Sequence, residues 1–473
     1  MRRPLLLQPS SAAPHGHRGT SWALLVAGCV AAPGAASATD YFVGAETHLT
    51  ADRWRGSRPD PIERLDVRPR LRLGVFDMEN DGTATDRFRF VADLEVATDF
   101  GRTSSERTAE DAVLHESRRS AFDLYYGYFE AHFRPLSDLD IDAKLGRHLL
   151  TDEVGLDALD GATIRLRIPI FTVEASGGLA VRAGWSHLGP DIYTPDGLEL
   201  GGKQAYLAGG ALETNFADWV ALRAAYRRQF RDGANVQREE AGVSTEVTPI
   251  TGLSLTAGTR YDVIYNRLAS VHGGAGYTII EPLRVEAAWH REHPSFSADS
   301  IWNAFSAEPY DDFNGRVRYT PGAWRLTADG GMRQFYSGET DSNSVDAMKR
   351  SVDAGVRAER LLGEVQDDTS VGCEGRLGLG YGGERIYGDL FGQMPLGLGA
   401  GVEPLRLSGR LGAVHFNDEQ QKNLDGVSGW AVVSTSWKAA ESVRLELLGE
   451  GNSSRFTPFH GRVFAQVSLE DWL

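Results

Sequence analysis

Cysteine is nearly missing from this sequence: Cys29 and Cys373 are the two among 473 residues. That scarcity excludes a disulfide framework, and the absence of a CxxC pair excludes the usual zinc, haem and thioredoxin-like centres. The sequence calls for no cofactor. Lysine is scarce as well, with Lys144, Lys203, Lys349, Lys422 and Lys438 the only five of 49 basic residues that are not arginine. Positive charge is not in excess either. A net charge of −16 argues against nucleic acid as the main partner. Beyond the first 38 residues, no stretch reaches the roughly 18–20 consecutive apolar residues that a membrane helix needs. No fixed repeat or blade signature recurs, which argues against a propeller or solenoid.

The amino-terminal segment has the order of a secretory signal. Arg2, Arg3 and Arg18 precede any acidic residue, the first of which is Asp40. An apolar stretch runs from Trp22 to Ala32, and Ala36-Ser37-Ala38 supplies an A-x-A cleavage site. Residues 1–38 therefore read as a signal peptide and residues 39–473 as the mature protein. Val26-Ala27-Gly28-Cys29 also fits a lipobox, in which Cys29 becomes the lipidated first residue. Both routes lead out of the cytoplasm.

What the chain does have is alternation. Between Arg87 and Phe100, Phe88, Phe90, Ala92, Leu94 and Val96 share one face, while Arg87, Arg89, Asp93 and Glu95 share the other. A helix would scatter these charges around its circumference; a strand separates them. Leu65, Val67, Leu71, Leu73 and Val75 oppose Asp66, Arg68, Arg70 and Arg72 in the same way. Pro69 falls on the apolar side of that run and cannot donate a ladder bond, so weak pairing is expected there. The pattern returns in 139–145, 283–287, 405–411 and 443–447.

The connections alternate too. Short turns are expected at 134–138, 215–218, 249–252, 281–282, 321–322 and 439–442. Longer polar segments are expected at 101–120, 186–203, 292–311, 336–350 and 417–427. Short turns on one side and long loops on the other are the rhythm of a transmembrane barrel. A composition of 41% hydrophobic residues fits that reading, because only one face of each strand meets lipid. The expected fold is all-β: a transmembrane antiparallel up-and-down β-barrel of about 18–22 strands, placed in the outer membrane.

The chain resembles the broad class of Gram-negative outer-membrane porins and polysaccharide-export barrels. Leu145-Gly146-Arg147-His148, then Gly155, then Asp160-Gly161 is similar to a G-R-(Q/H)…G…D-G pattern of such barrels. It reads as a strand ending at Arg147, a folded loop, and a new strand opening after a tight Asp160-Gly161 turn. Near the carboxyl end Val463, Ala465, Val467 and Leu469 alternate, with Trp472 before the final Leu473. Barrels of this class commonly end on an aromatic residue read by the barrel-assembly machinery, a partner implied here despite the leucine ending.

Alternation puts Arg68, Arg70, Arg72, Arg87, Arg89, Asp93 and Glu95 on inner faces, with Arg165, Arg167, Arg223, Arg227, Arg316 and Arg318. Charge on a lipid face costs roughly 2–4 kcal/mol at the midplane, so these thirteen are the expected pore lining. Guanidinium rings favour anions. Asp93, Glu95, Glu286, Glu359 and Glu446 offer partners for a mixed-charge ladder that stiffens the wall. The surplus acid is expected in loops such as 106–116 and 364–368.

Other constellations read as structural. Asp138, Asp140 and Asp142 lack the glycine and distal glutamate of an EF-hand loop. His290 and His293 point to opposite faces of a strand, so W-H-R-E-H is a strand edge and no metal site. The G-x-G-x-x-G at 378–383 has no helix pattern after it and reads as a Gly-rich strand and turn. Cys373 shares parity with Leu377 and Leu379, which places it towards lipid. Tyr125, Phe129, Phe133, Trp219, Trp289, Trp324 and Trp437 fit apolar faces and interfacial girdles. The functional expectation is a passive channel for hydrophilic, anionic solutes. An export pore for an acidic exopolysaccharide is the second reading; a barrel enzyme or a closed structural barrel is the third, without an identifiable nucleophile motif.

Overall fold

The computed structural model describes residues 40–55, 62–76, 87–99, 120–181, 205–217, 219–231, 235–293, 309–336, 348–363, 369–380, 383–398, 403–417, 425–455 and 458–472. The signal segment, the acidic stretches 106–116 and 364–368, and Leu473 lie outside them.

The described residues form 22 strands. The first eleven are β1 Asp40–Arg55, β2 Ile62–Phe76, β3 Arg87–Asp99, β4 Ser120–Leu136, β5 Leu139–Asp152, β6 Gly155–Arg167, β7 Phe171–Val181, β8 Ala205–Ala217, β9 Val220–Arg231, β10 Asn235–Ile250 and β11 Leu253–Asp262. The second eleven are β12 Arg267–Ile280, β13 Leu283–Glu292, β14 Tyr310–Tyr319, β15 Trp324–Tyr336, β16 Met348–Leu361, β17 Ser370–Gly380, β18 Glu384–Leu396, β19 Leu405–Asn417, β20 Gly426–Ala440, β21 Val443–Ser453 and β22 Phe459–Trp472. Each strand pairs antiparallel with its sequence neighbours, and β22 pairs with β1 from Phe42 opposite Trp472 to Arg55 opposite Phe459. The sheet is a closed barrel without an edge, and its strand number stands at the top of the expected range.

All six expected short turns follow even-numbered strands, and all five expected long connections follow odd-numbered ones. Because successive strands run in opposite directions, the turns gather at one end of the barrel and the long connections at the other. An even count brings the first and last strands' outer ends to the turn end. The β2–β3 ladder skips Arg68 and Pro69, as a residue without an N–H requires.

Polarity is reversed relative to a soluble protein. Asp93 and Glu240 are 0% and 2% exposed, while Val356 and Leu390 are 64% and 63% exposed. Large apolar side chains laid open along the strands are stable only against lipid, which makes this a membrane-spanning barrel. Cys373, opposite Ala358 and Leu390, is exposed on that apolar face. Trp219 and Trp324 are exposed beside turns at one end, as girdle residues are.

Tyr125 departs from the expected placement on an apolar face. Asp93 lies opposite Tyr126 and Leu94 opposite Leu124, so Tyr125 is the extra residue of a β-bulge. Its ring stacks on the charged face, 4.8 Å from the Arg70 guanidinium.

Candidate functional site

The resemblance motif marks the place where the wall folds. β5 pairs with β4 only up to Arg147 opposite Gly127, whereas β5 and β6 stay paired to their tip, Asp152 opposite Gly155. Beyond Arg147 the hairpin therefore leaves the sheet. Gly146, at φ +124°, lies opposite Gly161, which lies opposite Gly178. A Cβ on Gly146 would stand 2.3 Å from the Gly127 carbonyl oxygen, and one on Gly161 2.2 Å from that of Gly177. This glycine line lets four strands pass close enough to bend together.

Departure of β5 leaves β4 with unpaired backbone groups. Arg147 covers one of them: Nη1 donates to the Leu124 carbonyl at 2.9 Å, while Nε and Nη2 fork onto Asp160 at 2.6 Å each. The expected tight turn at Asp160-Gly161 is corrected by this geometry. Both residues lie inside β6, opposite Arg147 and Gly146, and the turn is Glu153-Val154. Arginine and aspartate in the motif are a cross-strand pair that seals the fold line.

The hairpin tip crosses to strands several places away. Arg227 on β9, 3% exposed, holds Asp152 at 2.7 Å and also binds Asp157. From β10, Arg238 reaches Asp157 at 3.2 Å and the Val154 carbonyl at 3.2 Å, and Ser244 donates to Glu153 at 2.8 Å. Arg223 lies 3.4 Å from Glu153, and Arg260 on β11 donates to Val154 at 3.4 Å. Leu150 and Leu159 pack on Leu207 of β8, and Val154 is fully buried. A hairpin rooted in β5–β6 touches β8 to β11 in this way only from the concave side. The charged faces of these strands are therefore concave, and strand register carries the assignment around the barrel. His148 is buried at the root, with Nδ1 3.0 Å from the Gly146 carbonyl and Nε2 2.7 Å from the Thr163 hydroxyl.

The thirteen residues singled out from the sequence are distributed along this charged face. Arg68 donates to Asp66 at 2.8 Å, Arg70 to Asp93 at 2.6 Å and Arg72 to Glu46 at 2.9 Å. Arg89 donates to Glu130 at 2.7 Å and Arg165 to Glu174 at 2.9 Å, and Arg167 pairs with Asp142. Glu95 is buried beside them, and Arg87 is exposed at the start of β3. Arg223 and Arg227 belong to the hairpin contact.

Arg316 and Arg318 sit in a different environment. They approach one carboxylate, Glu286, at 4.0 and 3.7 Å, while Arg284 donates to it at 2.8 Å. Arg284 and Arg318 face each other directly across β13 and β14. Next to them, Arg325 and Arg357 lie 3.9 and 3.5 Å from Glu359. Like charges placed opposite one another destabilise a sheet, so guanidinium is in local surplus here. A cavity of about 640 Å³ adjoins the cluster, its charged lining mixed: Arg316, Arg333 and Arg376 with Glu286, Asp312, Asp329 and Asp353.

The constellations expected to be structural have ordinary partners. Asp140 pairs with Arg134 at 2.7 Å and Asp142 with His132 at 2.7 Å. His290 contacts Glu292 at 3.0 Å, with His293 beyond the end of β13. Gly380, the last residue of β17, and Gly383, just before β18, both take positive φ.

Sequence reasoning missed Asp152, Glu153, Asp157, Arg238 and Arg260, the residues that dock the hairpin. The one available signal was Thr151-Asp152-Glu153, an acidic step inside a short turn at the end where long connections prevail.

No protein-family model matches the chain, and no curated protein matches it in sequence. Solved structures do match in form. A BenF-like porin from Pseudomonas fluorescens Pf-5 aligns with a TM-score of 0.47 and 9% identity, over 92% of this chain and 99% of that one. Pseudomonas aeruginosa OpdK, solved with vanillate, aligns at 0.44 and 11%, over 92% and 99%. Acinetobacter baumannii OccAB4 aligns at 0.46 and 7%, over 93% and 100%. Each is a likeness of barrel form.

Proposed function

We propose that the protein is a porin-like channel of the outer membrane, exported by its signal peptide, that passes hydrophilic solutes and favours anions. The observation that carries this is the cluster of five arginines around Glu286 and Glu359 at the turn end of β13–β16, set in a closed barrel with a charged concave face. Ion pairs elsewhere on that face stiffen the wall, and the arginines around Glu286 supply the selective charge. Solute would pass down its gradient through water with no covalent step, along a lumen lined by Arg68, Arg70, Arg72, Arg89 and their partners and narrowed by the β5–β6 hairpin.

Planar-bilayer recording with refolded protein tests the reading. We expect a steady open current whose reversal potential in a salt gradient favours the anion. The double substitution Arg284→Ser and Arg318→Ser should move that potential towards the cation. Silence from protein with heat-modifiable gel mobility would sink the constitutive channel. It would favour the second reading, a gated export pore for an acidic polysaccharide, which the width of a 22-strand barrel also suits.

A further inference from the structure

We infer that the apolar face of β13–β16 carries a binding site for a phosphorylated, multiply acylated lipid of the leaflet at the long-connection end. The inference rests on the placement in the outer membrane and not on conduction.

Register puts Arg291, Asp311, Gln334 and Arg350 in one row across four adjacent strands, at the end where the long connections leave. Glu292 on β13 and Asp312 on β14 face the lumen, so this row faces outward. Charge on a lipid-facing surface is tolerated only where headgroups begin. Arg291 is fixed there: Nε and Nη2 fork onto Asp311 at 2.7 Å each, which leaves Nη1 outside the pair. Tyr336 also donates to Asp311, and the rings of Tyr336 and Trp289 lie 5.6 and 5.9 Å from the Arg291 guanidinium. A guanidinium held rigid by a carboxylate and two rings is prepared to donate to phosphate. Arg350, at the other end of the row, adds exposed positive charge.

Below the row lies a shelf of Trp289, Phe313 and Met332, each opposite the next. One register step further down are Ala275, Ala287, Gly315, Gly330 and Ala354, aligned across five strands. Together they leave an apolar groove of about 650 Å³ that descends towards the middle of the membrane. Phosphate-binding charge above and room for acyl chains below are the two halves of one amphiphile. Arginine, carboxylate and tyrosine recur outward near the same end on β9–β10, where Tyr226 donates to Glu239 at 2.6 Å beside Arg228. Lipid A, with phosphates on a sugar bearing several acyl chains, has the chemistry that both halves recognise.

The test is native mass spectrometry of the detergent-purified barrel with hexa-acylated lipid A, in competition with phosphatidylglycerol and, separately, inorganic phosphate. We expect retained lipid A that neither competitor displaces, and a loss of about tenfold in affinity on Arg291→Gln. That variant strands the buried Asp311, so two others guard against misfolding. Gly315→Leu fills the groove at a position where an added Cβ meets nothing within 4 Å, and Arg350→Gln removes the exposed charge. Both should weaken lipid A binding while gel mobility stays heat-modifiable. Undiminished binding in these two variants, or equal retention of phosphatidylglycerol, would overturn the site.

Discussion

Arg227 holds two of the three carboxylates of the hairpin tip, Asp152 and Asp157, from a position almost sealed from water. A cation buried between two acids gains little by itself, because desolvation offsets attraction. Removing it strands Asp152 and leaves Asp157 to Arg238 alone, and breaking such a buried pair costs about 3–5 kcal/mol. Arg227→Ala should therefore loosen the tip more than any single change to Arg238 or Arg223, which are more exposed and contact the hairpin at longer range. Single-channel recording should show a larger and noisier current than wild type, and a glutamate-specific protease should cut after Glu153. Equal current and equal protection would mean that Leu150, Leu159 and Leu207 hold the hairpin without the ions.

At the scale of elements, the hairpin depends on its glycine line. Gly146→Val would place a branched side chain at positive φ, against the Gly127 carbonyl and the Tyr128 backbone. The expected result is a barrel whose hairpin cannot leave the sheet at this point, with lower refolding yield and protease sensitivity at Glu153. Circular dichroism should still report strand. Much of this scale was legible in the sequence. Alternation in β2 and β3 separated Arg70 and Asp93 from Leu71 and Leu94, because a pleated strand has a fixed period. The short turns appeared because Pro249, Pro282 and Gly322 constrain the backbone locally. The hairpin's destination was not legible, since Asp157 meets Arg238 across 81 positions and nothing in either local pattern encodes that distance. The motif Gly146-Arg147…Asp160-Gly161 was visible. Its role was misjudged because Asp-Gly signals a turn in isolation and here serves as a cross-strand neighbour of Arg-Gly geometry.

For the molecule as a whole, closure is the condition of stability. A barrel in lipid has no water to satisfy an open edge, so the β1–β22 ladder protects every other strand. Deleting β22 should abolish heat-modifiable mobility and leave aggregated chain, whereas trimming Leu473 alone should leave the ladder from Phe42 to Arg55 intact. Retained mobility without β22 would mean that β1 and β21 can meet directly. The hairpin adds a constraint of another kind, one of time. Its own strands end by Arg167, whereas the groups that receive it lie on β9, β10 and β11, as far along the chain as Arg260. The tip is seated only when β5–β6 and β9–β11 stand in one wall, a contact between residues 106 positions apart. Asp152, Glu153 and Asp157 lose water only at that step. Seating the hairpin is therefore a long-range step, slower than the pairing of any strand with its sequence neighbour.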